Sequence, residues 1–553
     1  MAGFRGTPWH ALSLVGIGLV AAALLAAPWL DQRLVWCAWL GVAIALLVAS
    51  RNRGWQGEAW MLGTAALALA IAFHWAPDVL AAAMNAEYPA GLLVAAPIVL
   101  WDAVRLALPF WFAARVARHP LDAWLPAGLA AACSEAVMPA IFPWKLGYAQ
   151  AAWPVTVQSV DLLGPEFATL TLFAHAGATA CLLQALGLGL AAARGVPRGS
   201  PIVRPAAVVA FVTCGLNIAY GVAAAAYWER RIDAAPWFTA ALVQANPEDP
   251  DGIEALRLLT RERSASDPSP DLVCWPESSG GCYDARLESL ADPALTQAWS
   301  RPPQHGLRPL ENPPCPLLFG GKIFTGHPER PRAIHQSAIL LDTHEAVRGR
   351  YHKRHLMPFG EYVPGGDLVP EIRLHFPLAD DITAGDEARV LDWGTRPRLG
   401  VMLCYEDMVP AAARSLVDAS ANVLVSLVNG SAFTQPVSLA QHRLLAQLRA
   451  VENRRCLLRC AATGETCVIT PLGVVATTLP SHTRGVLVAR VPLLEGLTLA
   501  RRLGPTFPLA SGVAAVLLAF QAARRSRQER SAALPGAANE ASAPTADIPW
   551  VPA

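Results

Sequence analysis

Seven long apolar segments fill most of the first 230 residues and constrain the fold more than any other feature. They lie near residues 11–30, 34–50, 59–76, 89–113, 121–141, 166–192 and 205–228, and an eighth spans about 507–523. Each is close to the roughly 20 residues that a helix needs to cross the hydrocarbon layer. The charged fraction is only 16%, against about a quarter in soluble domains. The sequence therefore predicts a polytopic α-helical membrane domain.

Between the seventh and eighth segments, charged residues, prolines and short β-rich runs become frequent. We therefore divide the chain into a seven-helix transmembrane domain (1–233), a globular domain (234–495), a C-terminal transmembrane helix (496–525) and a tail (526–553). The tail is rich in Ala, Pro and Glu, a composition that predicts disorder.

Arginines follow every second apolar segment and predict the orientation of the helices. They are Arg51, Arg53, Arg115, Arg118, Arg194, Arg198, Arg204, Arg524, Arg525, Arg527 and Arg530. The positive-inside tendency then places both termini in the cytoplasm and the globular domain outside. Arg230, Arg231, Arg501 and Arg502 lie on the outer side and count against this orientation, but the regular alternation outweighs them.

Charge and cysteine content exclude some classes of function. The net charge of +1 leaves no basic surplus for phosphates, which argues against a nucleic-acid partner. The cysteine spacings do not repeat the C-x-x-C pattern of a zinc site, and we predict neither a metal nor a cofactor. The globular domain holds seven cysteines, so at least one stays free or pairs between chains, while the others could form disulfides in an oxidising compartment.

Acidic residues inside the apolar segments need partners. Asp102 and Arg105 are one helical turn apart and could neutralise each other. Glu135 has no obvious local partner, and intramembrane carboxylates are often functional. A neighbouring helix that satisfies the carboxyl group is the alternative.

Six β-rich runs alternate with helical stretches in the globular region and predict an α/β fold. The runs are 238–244, 271–275, 317–321, 336–341, 398–404 and 422–428, and the clearest helices are 409–419 and 439–453.

Three short motifs there combine reactive side chains with turn signals. In Cys274–Ser278 (CWPES), a proline ends an apolar strand and sets Glu277 at its end, although a lone Glu after Pro is usually a solvated turn residue. In Tyr351–Pro364 (YHKRHLMPFGEYVP), apolar residues interleave with charges, which indicates partial burial rather than a basic surface loop. Lys353 and Glu361 then need each other or other charges, because buried unpaired charges are costly.

The third motif is a buried strand that ends at Cys404 and continues as CYED towards a helix. A strand-to-helix turn puts the thiol near backbone N–H groups and a helix start, which favours the thiolate. The alternative is a buried structural cysteine.

Together, Glu277 in WPES, Lys353 in YHKRHLMPFGEYVP and Cys404 in CYED resemble the carbon–nitrogen hydrolase (nitrilase) superfamily. The FGEYVP ending, the flanking membrane helices and the stretch 142–150 look like the apolipoprotein N-acyltransferase family within it. The resemblance covers about 120–520 and implies an αββα sandwich for the globular domain.

The resemblance also implies a reaction. A phospholipid, typically phosphatidylethanolamine, donates an acyl chain to Cys404, and the resulting thioester passes it to the α-amine of a lipoprotein's N-terminal diacylglyceryl-cysteine. Glu277 is the general base, while Lys353 and the backbone N–H of Tyr405 stabilise the oxyanion. Glu361 and Glu406 support this trio. Residues Leu356, Met357, Phe359 and Phe433 are the candidates for lining a cleft that takes the acyl chains.

Three stretches depart from that family. After Gln244, Asn246 and Pro247 the usual Lys-Trp pair does not follow; 429–434 reads NGSAFT without the usual Trp; and 461–464 reads AATG where the family has Asn-Thr-Gly. These stretches line the substrate arms in the family, so acyl and acceptor preference stay open. A membrane-anchored amidase or hydrolase and a catalytically decayed scaffold remain the alternatives.

Overall fold

The computed structural model describes residues 8–52, 54–186, 205–265, 269–286, 288, 309–327, 330–394 and 397–532. Residues 187–192 of the sixth predicted segment, Arg53, Arg194, Arg198, Arg204 and residues 533–553 of the predicted tail lie outside these ranges. The helices before the globular part are α1 (Pro8–Leu30), α2 (Val35–Arg51), α3 (Trp55–Ala72), α4 (Ala76–Ala83), α5 (Tyr88–Val116), α6 (Trp124–Val137), α7 (Val160–Leu163), α8 (Pro165–Ala185) and α9 (Pro205–Asp233).

Four described helices are long and apolar enough to cross a membrane, by length and composition: α5, α8, α9 and the C-terminal helix at Thr506–Glu529. Helices α3 and α4 would form a fifth span if taken together, although the pair is bent by 67°. Leu14–Leu30 and Val35–Arg51 are shorter apolar helices. The predicted segment 121–141 is α-helical over only the 14 residues of α6. Met138 is extended there because Pro139 disfavours helical backbone in the residue before it.

Asp102 and Glu135, two acidic residues inside apolar segments, have hydrogen-bond partners. Asp102 accepts from Arg105 at 3.4 Å. The Glu135 carboxylate accepts the Leu146 N–H at 2.7 Å and the Thr169 hydroxyl at 2.6 Å. The neighbouring helix α8, which carries Thr169, therefore helps to satisfy Glu135.

Two β-sheets form the globular part, as predicted. The strands are β1 (Trp237–Gln244), β2 (Leu272–Cys274), β3 (Cys282–Asp284), β4 (Leu317–His327), β5 (Arg330–Leu341), β6 (Val347–His352), β7 (Val390–Leu391), β8 (Leu399–Leu403), β9 (Val423–Val428), β10 (Leu457–Ala461), β11 (Thr466–Ile469), β12 (Val475–Leu479) and β13 (Gly485–Pro492). One sheet has the order β13-β1-β2-β4-β5-β6, with β3 beside β4, and the other has the order β12-β11-β10-β9-β8-β7. Because β1 pairs with β13, the two ends of the globular part meet in one sheet.

The two sheets face each other across a buried apolar core. Leu242 and Leu318 from the first sheet pack in it with Val401, Val425 and Leu458 from the second. Helix α10 (Gly252–Ser264) covers the outer face of the first sheet through Ile253 and Leu256. Helices α11 (Pro410–Asp418) and α12 (Pro436–Asn453) cover the second sheet. The αββα sandwich implied by the resemblance is confirmed.

Helix α12 also joins the sandwich to the membrane part. Ala446 and Ala450 belong to the hydrophobic cluster of the sandwich, whereas Leu444 and Leu448 belong to the core of the membrane helices. The Gln441 side chain donates to the Trp29 and Ala72 carbonyls at 3.0 and 2.8 Å. The face of α12 that carries Gln441, Leu444 and Leu448 therefore packs on the helical bundle.

A short helix α13 (Leu499–Leu503) leads into the C-terminal helix α14 (Thr506–Ala532). The assignment of residues 526–532 to a disordered tail was wrong, because they continue α14. The stretch RSRQERSA contains no Gly or Pro and is rich in good helix formers, so the helix outlasts its apolar part. All eleven cysteines are within the described residues and are free thiols.

Candidate active site

Glu277 follows strand β2 of the first sheet. It is 5% exposed, and the next residue, Ser278, has a positive φ of 61° that turns the chain away from the strand. A Cβ on Gly320 would lie only 2.5 Å from the Glu277 Cα. Glycine at 320 therefore allows strand β4 to approach the Glu277 backbone this closely.

Lys353 follows strand β6 of the same sheet and is 1% exposed. Its Nζ lies 3.2 Å from Oε1 of Glu277 and 2.6 Å from Oε1 of Glu361. The predicted pairing of Lys353 with Glu361 is thus present, and Glu277 is a second partner. Two carboxylates offset the cost of burying one ammonium group.

Glu361 closes a turn whose backbone holds the Glu361 carboxylate in place. Its second oxygen, Oε2, accepts the Met357 backbone N–H at 2.8 Å. Phe359, inside the turn, has a φ of 66°, which bulky residues rarely adopt. The turn aims the Glu361 carboxylate at Lys353.

Cys404 follows strand β8 of the second sheet. Its φ of 46° is left-handed, an uncommon and strained conformation for a non-glycine residue, of the kind that clusters at functional sites. The chain then makes a 3-10 turn over Cys404–Met408 before α11 begins. The side chain is 8% exposed and touches an apolar patch of Val428 and Ala461.

Glu406 connects the cysteine turn to the lysine turn. Its Oε1 accepts from the Tyr351 hydroxyl at 2.8 Å, the Arg354 N–H at 2.8 Å and the His355 N–H at 3.1 Å. Its Oε2 accepts the Leu403 N–H at 2.9 Å. Glu406 therefore accepts backbone N–H groups just after Lys353 and just before Cys404, and it sets the position of one turn against the other.

Burial and the charges of the site shift the pKa values of Cys404, Glu277 and Lys353. Burial raises the pKa of the Cys404 thiol, and the Glu277 carboxylate raises it further, while Lys353 lowers it. Burial also raises the pKa of Glu277, against the opposing effect of Lys353. Burial alone would lower the pKa of Lys353, but Glu277 and Glu361 together hold it well above its usual value.

The expectation that the turn favours the thiolate was wrong. Cys404 begins a five-residue 3-10 turn rather than a long helix, and its burial outweighs the nearby ammonium group. The sulfur is therefore a thiol at rest and needs a base to take its proton. Glu277 is a stronger base than an exposed glutamate because its pKa is raised.

A buried network behind Cys404 was not found from the sequence. Asp407 accepts from the Ser426 hydroxyl at 2.8 Å and the Arg459 guanidinium at 3.2 Å, and it lies 2.7 Å from Nε2 of His442. These residues come from the cysteine turn, two strands and α12, so no local motif contains them. The Asn429 N–H, 3.3 Å from Oε2 of Glu277, was missed for the same reason.

Two cavities lie between the membrane helices and this part of the sandwich. One of about 880 Å³ is lined by Leu356 and Phe359 together with Trp101 of α5 and Tyr405. The second, of about 430 Å³, is lined by Met357 and Phe359 together with Trp75 and residues of α4 and α5. Leu356, Met357 and Phe359 thus line these cavities, and their contact with acyl chains stays a prediction.

Phe433 lines neither cavity, so its predicted location was wrong. Its ring packs edge-on against Trp75 at 5.5 Å between centroids and is 4% exposed. It borders only a gap of about 20 Å³. Tyr405 also contacts the membrane part, because its hydroxyl donates to the Ile141 carbonyl. The described residues hold no group of three or more His, Cys, Asp or Glu side chains suited to a metal ion.

Comparisons with known proteins agree with both halves of the chain. Residues 239–496 match the sequence profile of the carbon–nitrogen hydrolase family. A relative from Geobacter metallireducens, named apolipoprotein N-acyltransferase, is 30% identical over 403 residues, or 69% of this chain and 70% of the relative. One of the same name from Azotobacter vinelandii is 31% identical over 469 residues, or 82% of this chain and 83% of the relative.

Among solved structures, an amidase from Nesterenkonia sp. AN1 aligns with 46% of this chain and 93% of its own at 20% identity and a TM-score of 0.32. The 469-residue alignment is longer than the 239–496 match. Sequence similarity to the relatives therefore extends beyond the sandwich into the apolar helices.

Proposed function

The chain belongs to the apolipoprotein N-acyltransferase family, and on that premise we propose that it moves an acyl chain from a phospholipid to the N-terminal amine of a diacylglyceryl-lipoprotein. The names of the two long relatives support acyl transfer to lipoproteins. The phospholipid donor, the thioester intermediate and the roles of individual residues are our proposal and rest on the geometry of the site.

In the first half-reaction, Sγ of Cys404 attacks the ester carbonyl of the phospholipid while Glu277 takes the thiol proton. The carbonyl carbon becomes tetrahedral, and its oxygen carries the negative charge. When the intermediate collapses, the C–O ester bond breaks, and the leaving lysophospholipid oxygen takes the proton from Glu277. The product is an acyl thioester on Cys404.

Lys353 stabilises the tetrahedral oxyanion, together with the Tyr405 backbone N–H. An ammonium group buried to 1% exposure acts in a low-dielectric site, where a fixed positive charge stabilises an oxyanion far more than it would in water. Its contacts with Glu277 and Glu361 keep it in place before substrate arrives. Glu361 and Glu406 are positioning residues in this scheme.

In the second half-reaction, the lipoprotein amine attacks the thioester carbon and loses a proton to Glu277. The C–S bond then breaks, the C–N amide bond remains, and the proton returns to the sulfur as a thiol. The enzyme is back in its starting state and needs no cofactor.

One observation carries the proposal: the buried Glu277–Lys353–Glu361 group lies beside two apolar cavities whose far walls are membrane helices. Residues adjacent in sequence to Lys353 and Cys404, namely Arg354 and Tyr405, line the larger cavity. The lining is mainly apolar, which suits acyl chains and keeps water from the thioester. A lipid substrate explains why a nitrilase-type sandwich is fused to membrane helices.

Topology completes the proposal. The arginine alternation supports a multi-pass protein of the bacterial inner membrane with its sandwich on the periplasmic side. Diacylglyceryl-lipoproteins and the phospholipids of the membrane's outer leaflet are then both within reach of the site.

The test is a labelled-lipid assay on the purified full-length protein. Phosphatidylethanolamine labelled in its acyl chain should give a hydroxylamine-sensitive adduct on Cys404, and a diacylglyceryl-cysteinyl peptide should discharge that adduct as an amide. If the label instead appears as free fatty acid at the same rate with or without the peptide, the protein is an amidase-type hydrolase. If no adduct forms, the catalytic proposal is wrong.

A further inference from the structure

The two cavities beside the site differ in charge. The larger one contains Arg354 and His355 in its wall, together with Asp102, which lines both cavities. The smaller one has no Lys, Arg or His among its lining residues but has three acids, Asp102, Glu248 and Asp380. The smaller cavity is therefore suited to a cationic group.

Two of these three acids are already neutralised by neighbours. Asp102 pairs with Arg105 at 3.4 Å, and Asp380 pairs with Lys322 at 2.7 Å. Glu248 has no basic partner among the described residues. Its carboxylate is thus the one acid of this lining that is available to a cation from a substrate.

Hydrogen bonds fix the direction of the Glu248 carboxylate. Its Oε1 accepts from Nδ2 of Asn429 at 2.8 Å and from the Ser431 hydroxyl at 3.2 Å. The Asn429 backbone N–H in turn lies 3.3 Å from Oε2 of Glu277. A single residue, Asn429, therefore separates Glu248 from the proposed general base.

Two of the departures from the family pattern meet at this point. Glu248 stands directly after Pro247, where the usual Lys-Trp does not follow, and Asn429 and Ser431 belong to the NGSAFT stretch that lacks the usual Trp. The structure brings these stretches, about 180 residues apart, into direct contact. They form one feature of this chain rather than two unrelated losses.

The rest of the cavity is suited to hydrocarbon. Trp75, Val79, Leu80 and Ile98 line the membrane side, while Glu248 and Ser431 come from the sandwich. A molecule that fits this arrangement has an acyl chain at one end and a cation at the other.

We propose that Glu248 binds the primary ammonium group of a lipid substrate at this cavity, as a specificity-determining residue of the reaction. This inference rests on the proposed function. Two substrates carry such a group: the ethanolamine headgroup of the donor and the α-amine of the lipoprotein acceptor. Glu248 pairs with the ammonium and holds it near Asn429, one residue from Glu277.

The experiment measures KM and kcat of each half-reaction separately for the wild type, Glu248→Gln and Glu248→Lys. Loading of Cys404 is followed with phosphatidylethanolamine and with phosphatidylglycerol, whose headgroup carries no ammonium. Discharge of the preloaded enzyme is followed with a diacylglyceryl-cysteinyl peptide. Glu254→Gln is the matched control, because Glu254 is an exposed glutamate of α10 that lines neither cavity.

Glu248→Gln should raise the KM for the ammonium substrate roughly three- to tenfold, the expected effect of losing one partly exposed ion pair, with kcat nearly unchanged. A rise in KM for phosphatidylethanolamine but not for phosphatidylglycerol identifies the donor headgroup as the group that Glu248 binds. Glu248→Lys should then favour phosphatidylglycerol. A rise confined to the peptide identifies the acceptor amine. Glu254→Gln should change neither KM.

An equal rise in KM for both phospholipids with no rise for the peptide would overturn the inference. A fall in kcat alone would do so too, since neither result depends on an ammonium group. An unchanged KM in every arm would overturn it as well. These outcomes leave the proposed function standing as long as the wild type still loads Cys404. If the wild type forms no adduct, the proposed function itself has failed, and this inference fails with it.

Discussion

The Nζ of Lys353 lies 2.6 Å from Oε1 of Glu361, and the other Glu361 oxygen is bonded to the backbone of the turn between them. The lysine is thus held by a group whose own direction is set by the chain. Glu277 contacts the same ammonium at 3.2 Å. Because Glu361 shares that positive charge, Lys353 stabilises the Glu277 carboxylate less than it would as a partner of Glu277 alone. Glu277 is therefore the better base.

Replacing this second carboxylate should impair catalysis without removing it. Glu361→Gln loses a charged hydrogen bond, worth about 1.5–3 kcal/mol, so thioester formation should slow by roughly 10–100-fold. Hydroxylamine-sensitive labelling over time measures the rate. Glu371→Gln, on an exposed 3-10 turn, is the control, and an equal slowing in both variants would refute a specific role for Glu361.

Two cysteines near the site should respond differently to substitution. Cys404→Ala should abolish acyl-enzyme formation and leave the fold intact, because the substitution removes only one sulfur atom from a small apolar cluster. Cys274→Ala removes a sulfur from the core between the sheets, so it should cost about 1–2 kcal/mol of stability and leave loading measurable. Labelling and thermal unfolding in detergent separate the two effects. Acyl-enzyme formation in the Cys404→Ala variant would refute Cys404 as the nucleophile.

The pH profile of loading should reflect the raised pKa of Glu277. A base must be ionised to accept the thiol proton, and ionisation is lost as pH falls through its pKa. Because burial raises the pKa of Glu277 above its usual value near 4.5, the acid limb should lie at higher pH than for an exposed glutamate. Initial rates of loading against pH measure it. An acid limb at or below the usual value would contradict Glu277 as the base.

A buried ion pair between the halves should support the stability of the whole protein. Arg454, after α12, donates to Asp161 of α7 at 2.6 and 2.9 Å, and its side chain is fully buried. Arg454→Ala leaves a buried carboxylate without its partner and should cost about 3–5 kcal/mol. Arg484→Ala breaks an exposed pair and should cost at most about 1 kcal/mol. Similar melting temperatures for the two variants would contradict this difference.

The predicted topology can be tested with single introduced cysteines. Glu371→Cys, exposed on the sandwich, should react with a membrane-impermeant maleimide in intact spheroplasts, whereas Gln528→Cys, beyond the apolar part of α14, should react only after lysis. The unmodified chain measures the background from its own thiols. Labelling in the reverse order would overturn the orientation and, with it, access to lipoproteins.

The sequence was sufficient to predict strands β2 and β8 and the turns that follow them, but not strand β6 (Val347–His352), which precedes Lys353. Pro276 and the CYED stretch mark where β2 and β8 end, so Glu277 and Cys404 could be set at strand ends from local chemistry alone. The extent of the helices was less predictable. The apolar segment 121–141 contains a helix of only 14 residues, and α14 continues past its apolar part to Ala532, because hydropathy reports burial in lipid rather than backbone conformation.

By itself, the sequence predicted which residues form the candidate site and that they lie on an α/β domain fused to apolar helices. Both conclusions follow from local composition and short motifs. Only the tertiary structure decided the state of Cys404, since burial and the charge of Glu277 act through space and keep the sulfur a thiol. It also decided that Phe433 packs on Trp75 instead of lining a cavity, and that Glu248 meets Asn429. Such contacts join segments far apart in the chain, so no local pattern encodes them.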